Sequence, residues 1–196
     1  IDFIRAKAYF AQQINAEIPH IENKPSINWK KAYHPLLWLH HKKNKQKIIP
    51  LDLEFLDKER ILVISGPNAG GKSVSLKTIG LLQYMLQCGI PCPALPESKA
   101  GIFKEMFIDI GDDQDLDNDL STYSSHLKNM DYFVKFSGGS TLFLIDEFGT
   151  GTDPQYGGPL AESILEALNK KMSYGVVTTH FSNLKVLANQ TEGLVN

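Results

Sequence analysis

The rhythm of apolar and polar positions changes once along this chain, near residue 61. Over residues 2–18, Phe3, Ile4, Ala8, Ala11, Ile14 and Ile18 fall near one face of a helical wheel, which predicts an amphipathic helix ended by Pro19. Residues 21–60 alternate apolar and polar without a long helical period. Within them, Leu36–Leu39 and Ile48–Phe55 read as strands of a small, mostly antiparallel element, with Lys42–Lys47 as a Lys-rich turn between them. That turn could touch DNA, although a solvated hairpin tip is the simpler reading.

From residue 61 the pattern becomes short apolar runs alternating with helical periods. Ile61-Leu62-Val63-Ile64 is a continuous apolar strand, followed by a Gly-rich turn and a helix carrying Val74, Thr78, Leu82, Met85 and Leu86. Thr141–Ile145 is a second such strand. A Gly/Thr/Pro loop and a helix with Leu160, Ile164, Leu165 and Leu168 follow it. Gly175–Thr179 is a third. Strands apolar on both faces and alternating with helices predict an α/β fold, a mainly parallel sheet covered on both sides. Glu105–Asp119, with seven acids and no base, reads as an exposed loop leading to a helix.

Composition changes this picture little. With 196 residues and 42% hydrophobic residues the chain is an ordinary globular domain, or one with an attached element. No apolar run approaches the roughly 18–20 residues of a membrane span. No secretory leader is visible, and Cys88 and Cys92 make no disulfide framework, so a cytoplasmic setting is expected. The net charge of −2 divides unevenly, since residues 1–60 are mildly basic and the remainder acidic. That excess is too small to predict direct DNA binding. The start at Ile1 and the stop after Gly193-Leu194-Val195 suggest an excised piece of a longer protein.

The chemistry concentrates after residue 61. Gly66-Pro67-Asn68-Ala69-Gly70-Gly71-Lys72-Ser73 fits G-x-x-x-x-G-K-[ST] between a strand and a helix. The glycines let successive backbone N–H groups turn toward phosphate oxygens, and the helix dipole adds to that anion site. Lys72 would then reach the β- and γ-phosphates, and the Ser73 hydroxyl would ligate Mg²⁺. Asp146 and Glu147 close the second strand. Asp146 is expected to hold Mg²⁺ through water, and Glu147 to orient or deprotonate the attacking water. His180, after Thr178-Thr179, is either a structural histidine or a γ-phosphate ligand, and its place at a strand end favours the second. Ser137-Gly138-Gly139-Ser140 resembles a transporter-type ATPase signature but abuts the next strand, and reads as a turn. Ser121 in Ser121-Thr122-Tyr123-Ser124-Ser125-His126 is a candidate helix N-cap and anion site.

In this order and spacing, the phosphate loop, the STYSSH segment, LFLIDEFGTGTDP and TTH resemble the ATPase domain of the MutS family. Tyr33-His34-Pro35-Leu36-Leu37 resembles that family's His-Pro element near the nucleotide, and Gly149-Thr150-Gly151-Thr152 its subunit-contact loop. Ala69 and STYSSH look more like the second MutS branch, which lacks the mismatch-reading domain and often carries a C-terminal nuclease module.

The resemblance implies a P-loop NTPase of the ABC-ATPase-like type, acting in DNA repair or recombination. Residues 1–20 would end a connector helix, and 21–196 would form a C-terminally truncated ATPase domain. Two ATPs would be sandwiched in a homodimer, each held by Gly66–Val74 and His34 of one subunit. Lys72, Asp146, Glu147 and His180 of that subunit would face Ser121 and Thr122 of the other. DNA would be engaged mostly by regions outside this chain. The alternatives are a nucleotide-gated dimerisation module with little turnover and, more weakly, a small-molecule kinase.

Overall fold

The computed structural model describes residues 1–56, 58–67, 70–111 and 119–196, with side chains for all of these except 119–123 and 154. In chain order the first elements are α1 (Asp2–Gln13), β1 (His20–Glu22), β2 (Ile27–Ala32), α2 (Pro35–Asn44) and β3 (Leu51–Glu54). Next come β4 (Ile61–Ser65), α3 (Lys72–Gln87), β5 (Lys99–Gly101), β6 (Glu105–Asp109) and α4 (Asp119–Phe136). The chain closes with β7 (Thr141–Ile145), α5 (Pro154–Lys170), β8 (Tyr174–Thr179), α6 (Ser182–Gln190) and β9 (Leu194–Val195). They form two compact units. One comprises Ile1–Phe55 with Lys77–Ile102, the other Leu56–Leu76 with Phe103–Asn196. Helix α3 starts in the second unit and runs on into the first.

The first unit is built on a mixed sheet of order β1-β5-β2-β3. β1 runs parallel to β5, and β2 is antiparallel to both β5 and β3. Ile27, Trp29, Ala32, Leu53 and Ala100 are buried with Ile79 and Leu82 of α3. A bulge between Trp29 and Ala32 places Lys31 at φ 44°, and its N–H donates to Asp52 Oδ1 at 2.8 Å.

Three expectations for this region need correction. Leu36–Leu39 is helix, because Pro35 presets the first helical φ and no β-branched residue opposes it. The cations Lys42 and Lys43 complement the negative end of that helix, and Lys45 ends it in the left-handed region. The Lys-rich stretch is therefore a helix terminus and not a hairpin tip. Helix α1 stops before Pro19, because Asn15 at φ 50° lets Ala16 N–H reach back to the Ala11 carbonyl. The first turn of its apolar stripe is exposed, with Phe3 and Ile4 each more than two-thirds exposed, whereas Ile14 at its end is buried.

The second unit carries a parallel five-stranded sheet of order β6-β7-β8-β4-β9. Strand β7 is buried at every position, as its continuous apolar run predicts. Helices α4, α5 and α6 add Met130, Phe133, Leu165, Leu168, Leu184 and Leu187 to a core with Ile61, Val63, Phe143 and Val177. Gly175, opposite Phe143, has no room for a Cβ against that ring. The turn at 138–141 is as expected, with Gly138 N–H on Thr141 Oγ1 at 3.0 Å. Strand β6, however, occupies part of the stretch read as an acidic loop. Its apolar run is only Met106-Phe107-Ile108 between two acids, too short to stand out in sequence. Residues 112–118 of that stretch lie outside the described residues.

Candidate active site at the carboxyl ends of three strands

Strands β7, β8 and β4 are neighbours, and each delivers a chemical segment at its carboxyl end. This is where open parallel sheets bind ligands. After β4, the loop turns through Gly66 and through Gly71 at φ 77°, a conformation costly for any residue with a Cβ. Gly70 N–H bonds the Pro67 carbonyl at 3.1 Å, and Ser75 N–H bonds the Gly71 carbonyl at 2.9 Å as α3 begins. Lys72 is buried at 6% exposure, and its Nζ donates to the Gly66 carbonyl, so the ammonium is folded over the loop it is expected to serve. Val74 is exposed on the first turn of α3. Asn68 and Ala69 lie outside the described residues.

Ser73 and Asp146 meet. The Ser73 hydroxyl donates to Asp146 Oδ1 at 3.0 Å. The same oxygen accepts from Thr178 Oγ1 on β8, and Thr178 Oγ1 in turn accepts the Glu147 N–H at 2.8 Å. Glu147 sits at φ 49° in the left-handed region, with its carbonyl accepting from Thr150 N–H at 3.1 Å and from Thr150 Oγ1 at 2.8 Å. A non-glycine residue held there stores strain that the surrounding bonds must offset. The next β8 hydroxyl, on Thr179, donates to the Phe148 carbonyl at 3.1 Å and accepts the Phe181 N–H at 3.1 Å. His180 follows, exposed, beyond the end of β8.

A hydroxyl and a carboxylate within 3.0 Å of each other are hard oxygen donors suited to Mg²⁺, which takes few protein ligands and keeps water and phosphate oxygens. Among the described residues no group of three or more His, Cys, Asp or Glu side chains could hold a metal by itself. The donor set therefore fits a cation shared with a phosphate better than a protein-enclosed one.

Beside Glu147 lies a cavity of about 480 Å³, lined in part by Asp109, His126, Gly149, Gly151 and Leu160. Asp109, buried at the end of β6, accepts from Asn129 Nδ2 at 2.8 Å and pairs with His126 Nδ1 at 2.7 Å, both on α4. Its backbone carbonyl accepts the Asp146 N–H at 2.9 Å. Helix α4 begins at Asp119, so Ser121 and Thr122 fall inside its first turn and Ser121 does not precede it as an N-cap. Their side chains lie outside those described.

His34 belongs to the first unit, where it precedes α2 as its N-cap residue. Burial, and secondarily the Lys77 ammonium, hold its imidazole below the ordinary histidine range. Sequence reasoning passed over Thr178 and Asp109. Thr178 read as strand filler beside His180, and Asp109 as one acid among seven.

Residues 62–196 match the family described as MutS domain V. Over all 196 residues the chain is 43% identical to the protein named "Endonuclease MutS2" of Lachnoclostridium phytofermentans and 43% to that of Enterococcus faecalis. It is 44% identical to the protein of that name of Clostridium acetobutylicum. The chain spans 24% of the length of each of these relatives.

Proposed function

The chain belongs to the MutS family and carries its ATPase domain, and from that premise we propose that it is the ATP-hydrolysing motor of a DNA repair or recombination protein. The observation that carries the proposal is the convergence of Ser73, Asp146 and Glu147 behind a phosphate loop, at the ends of β4 and β7 with β8 between them. In this reading the backbone of Gly66–Ser73 holds the ATP phosphates, and Lys72 turns from the Gly66 carbonyl to the β- and γ-phosphates. Ser73 and Asp146 would hold Mg²⁺, which when bound neutralises charge developing on the phosphates. Glu147 takes the proton of the attacking water, and His180 donates to a γ-phosphate oxygen.

The site is completed by a second copy, whose Ser121 and Thr122 face the γ-phosphate held by the first, while His34 adjoins the nucleotide. Residues 1–20 end a connector to the rest of the protein, with 21–196 as the motor. The exposed Phe3 and Ile4 of α1 support this, since apolar side chains left bare in this chain suit packing on a neighbouring segment. Nucleotide state would thereby control closure of the dimer on mismatched or branched DNA. DNA contacts, and the nuclease activity that the relatives' name states, are assigned outside residues 1–196. No helix among the described residues is long and apolar enough to cross a membrane.

The test is sedimentation of the full-length protein with ATP and with a non-hydrolysable analogue, alongside phosphate release. Nucleotide-driven association with turnover is expected. Association without turnover would favour a nucleotide-gated dimerisation module, and the absence of both association and turnover would overturn the proposal.

A further inference from the structure

Thr178 lies on β8, paired opposite Ile64 of the strand that feeds the phosphate loop, and its side chain is completely buried. Its hydroxyl has one proton and two lone pairs. The proton goes to Asp146 Oδ1, and one lone pair receives the Glu147 N–H at 2.8 Å. One oxygen atom therefore ties the side chain of Asp146 to the backbone of Glu147 from a different strand. The Thr178 carbonyl adds a third tie by accepting the Phe148 N–H at 2.8 Å.

The need for such a tie follows from the backbone. Glu147 is held at φ 49°, and a turn in that region relaxes unless outside bonds over-determine it. Relaxation would swing the Glu147 side chain and release the Asp146 carboxylate together, because the two residues are adjacent. A valine would fill the same space but would leave the Glu147 N–H and one Asp146 acceptor without this partner. A serine would keep both bonds.

We infer that Thr178 is a positioning residue whose hydroxyl simultaneously aims the carboxylate of Asp146 and fixes the backbone of Glu147, coupling cation binding to placement of the general base. The inference rests on the proposed roles of Asp146 and Glu147.

The test uses the full-length protein with Thr178→Val, Thr178→Ser and Asp146→Asn, read by kcat, by the Mg²⁺ concentration giving half-maximal turnover, and by nucleotide binding in chelator. Loss of an outer-shell partner lowers metal affinity or activity by about 10–100-fold. Thr178→Val is expected to lower kcat and raise the Mg²⁺ requirement within that range, while binding in chelator changes less than about threefold and Thr178→Ser restores both readouts. Equal losses in Thr178→Val and Thr178→Ser would overturn the inference, since any change of side chain at this buried position, and not loss of the hydroxyl, would then account for them. So would normal turnover and Mg²⁺ dependence in Thr178→Val beside a disabled Asp146→Asn. An unchanged Mg²⁺ requirement in Asp146→Asn would instead overturn the metal assignment beneath it. If Thr178→Val does not fold, Thr178→Ser decides alone, and a shifted Mg²⁺ requirement in that variant counts against the role of the hydroxyl.

Discussion

The Ser73 hydroxyl and the Asp146 carboxylate, 73 positions apart in the chain, lie 3.0 Å from each other across the ends of two strands. β8 separates those strands in the sheet, so the contact requires β8 to be in place and in register. The pairing Ile145↔Val177 on one side and Ile64↔Thr178 on the other sets that register. A slip of one residue would turn Thr178 to the opposite face and leave Asp146 with one partner fewer.

Glu147→Gln tests the proton-accepting role while keeping the shape and the left-handed backbone. Turnover of ATP by the full-length protein should fall by about 10²–10⁴-fold, the usual contribution of a positioned general base. Nucleotide binding should persist, as measured by equilibrium dialysis. Wild-type phosphate release by this variant would remove Glu147 from the mechanism.

Gly175→Ala tests the packing of the parallel sheet. A Cβ at Gly175 would overlap ring carbons of the fully buried Phe143 directly across the strand pair. Overpacking of this type costs about 1–3 kcal/mol. For a domain of this size that lowers the thermal midpoint by roughly 2–12 °C. Scanning calorimetry on Gly175→Ala reads the loss directly. Gly175→Ala with Phe143→Leu should recover part of it, because the obstructing ring is gone.

Much of this arrangement was legible in sequence, and the parts that were not have physical causes. Runs such as Leu142–Ile145 announce a strand buried on both faces because every position is apolar. The phosphate loop is legible because its residue types are required by its backbone. Strand β6 was hidden because three apolar residues flanked by Glu105 and Asp109 carry too little pattern, and its parallel partner lies far downstream. Helix α2 was misread because Leu36-Leu37-Trp38-Leu39 suits either state, and the deciding signal was Pro35 at its first position. Thr178 could not have been found, since its importance lies in an oxygen shared between residues that only the fold brings together.

His34 supplies a pH dependence with a definite sign. Its imidazole is held below the ordinary value, so the folded chain binds that proton less readily than the unfolded chain. Stability from this group is fully present above the unfolded value of about 6.5 and declines as pH falls from there through the folded value. Denaturant midpoints measured from pH 7.5 downward should fall below pH 6.5 in the wild type, and less steeply in His34→Gln. Equal slopes in the two proteins would show that His34 is not the responsible group.

Met172 offers a stabilising change. It follows the end of α5 at φ 61°, with its N–H on the Asn169 carbonyl at 2.9 Å and its side chain half exposed. That backbone costs an L-residue about 1–2 kcal/mol and a glycine little. Met172→Gly should raise the thermal midpoint by a few degrees, roughly 2–4 °C per kcal/mol, with ATP turnover unchanged. A lower midpoint would mean that the methionine side chain contributes more than the strain removes.

The strand order carries a further consequence, for the birth of the protein. Among the described residues β4, which leads into the phosphate loop, pairs with β8 and β9 alone, and both follow it by more than 100 positions in the chain. During synthesis Ile61–Ser65 must leave the ribosome long before Tyr174–Thr179 exist, and meanwhile its row of amide groups has no sheet partner. Pairings of such long separation are slow to form, and their unpaired edges are exposed to association with other chains. A nascent chain stalled before Tyr174 would contain every residue of the phosphate loop and still lack the sheet that shapes it. ATP can therefore act as ligand, and as a stabiliser of the newborn domain, only once Tyr174–Thr179 have been made.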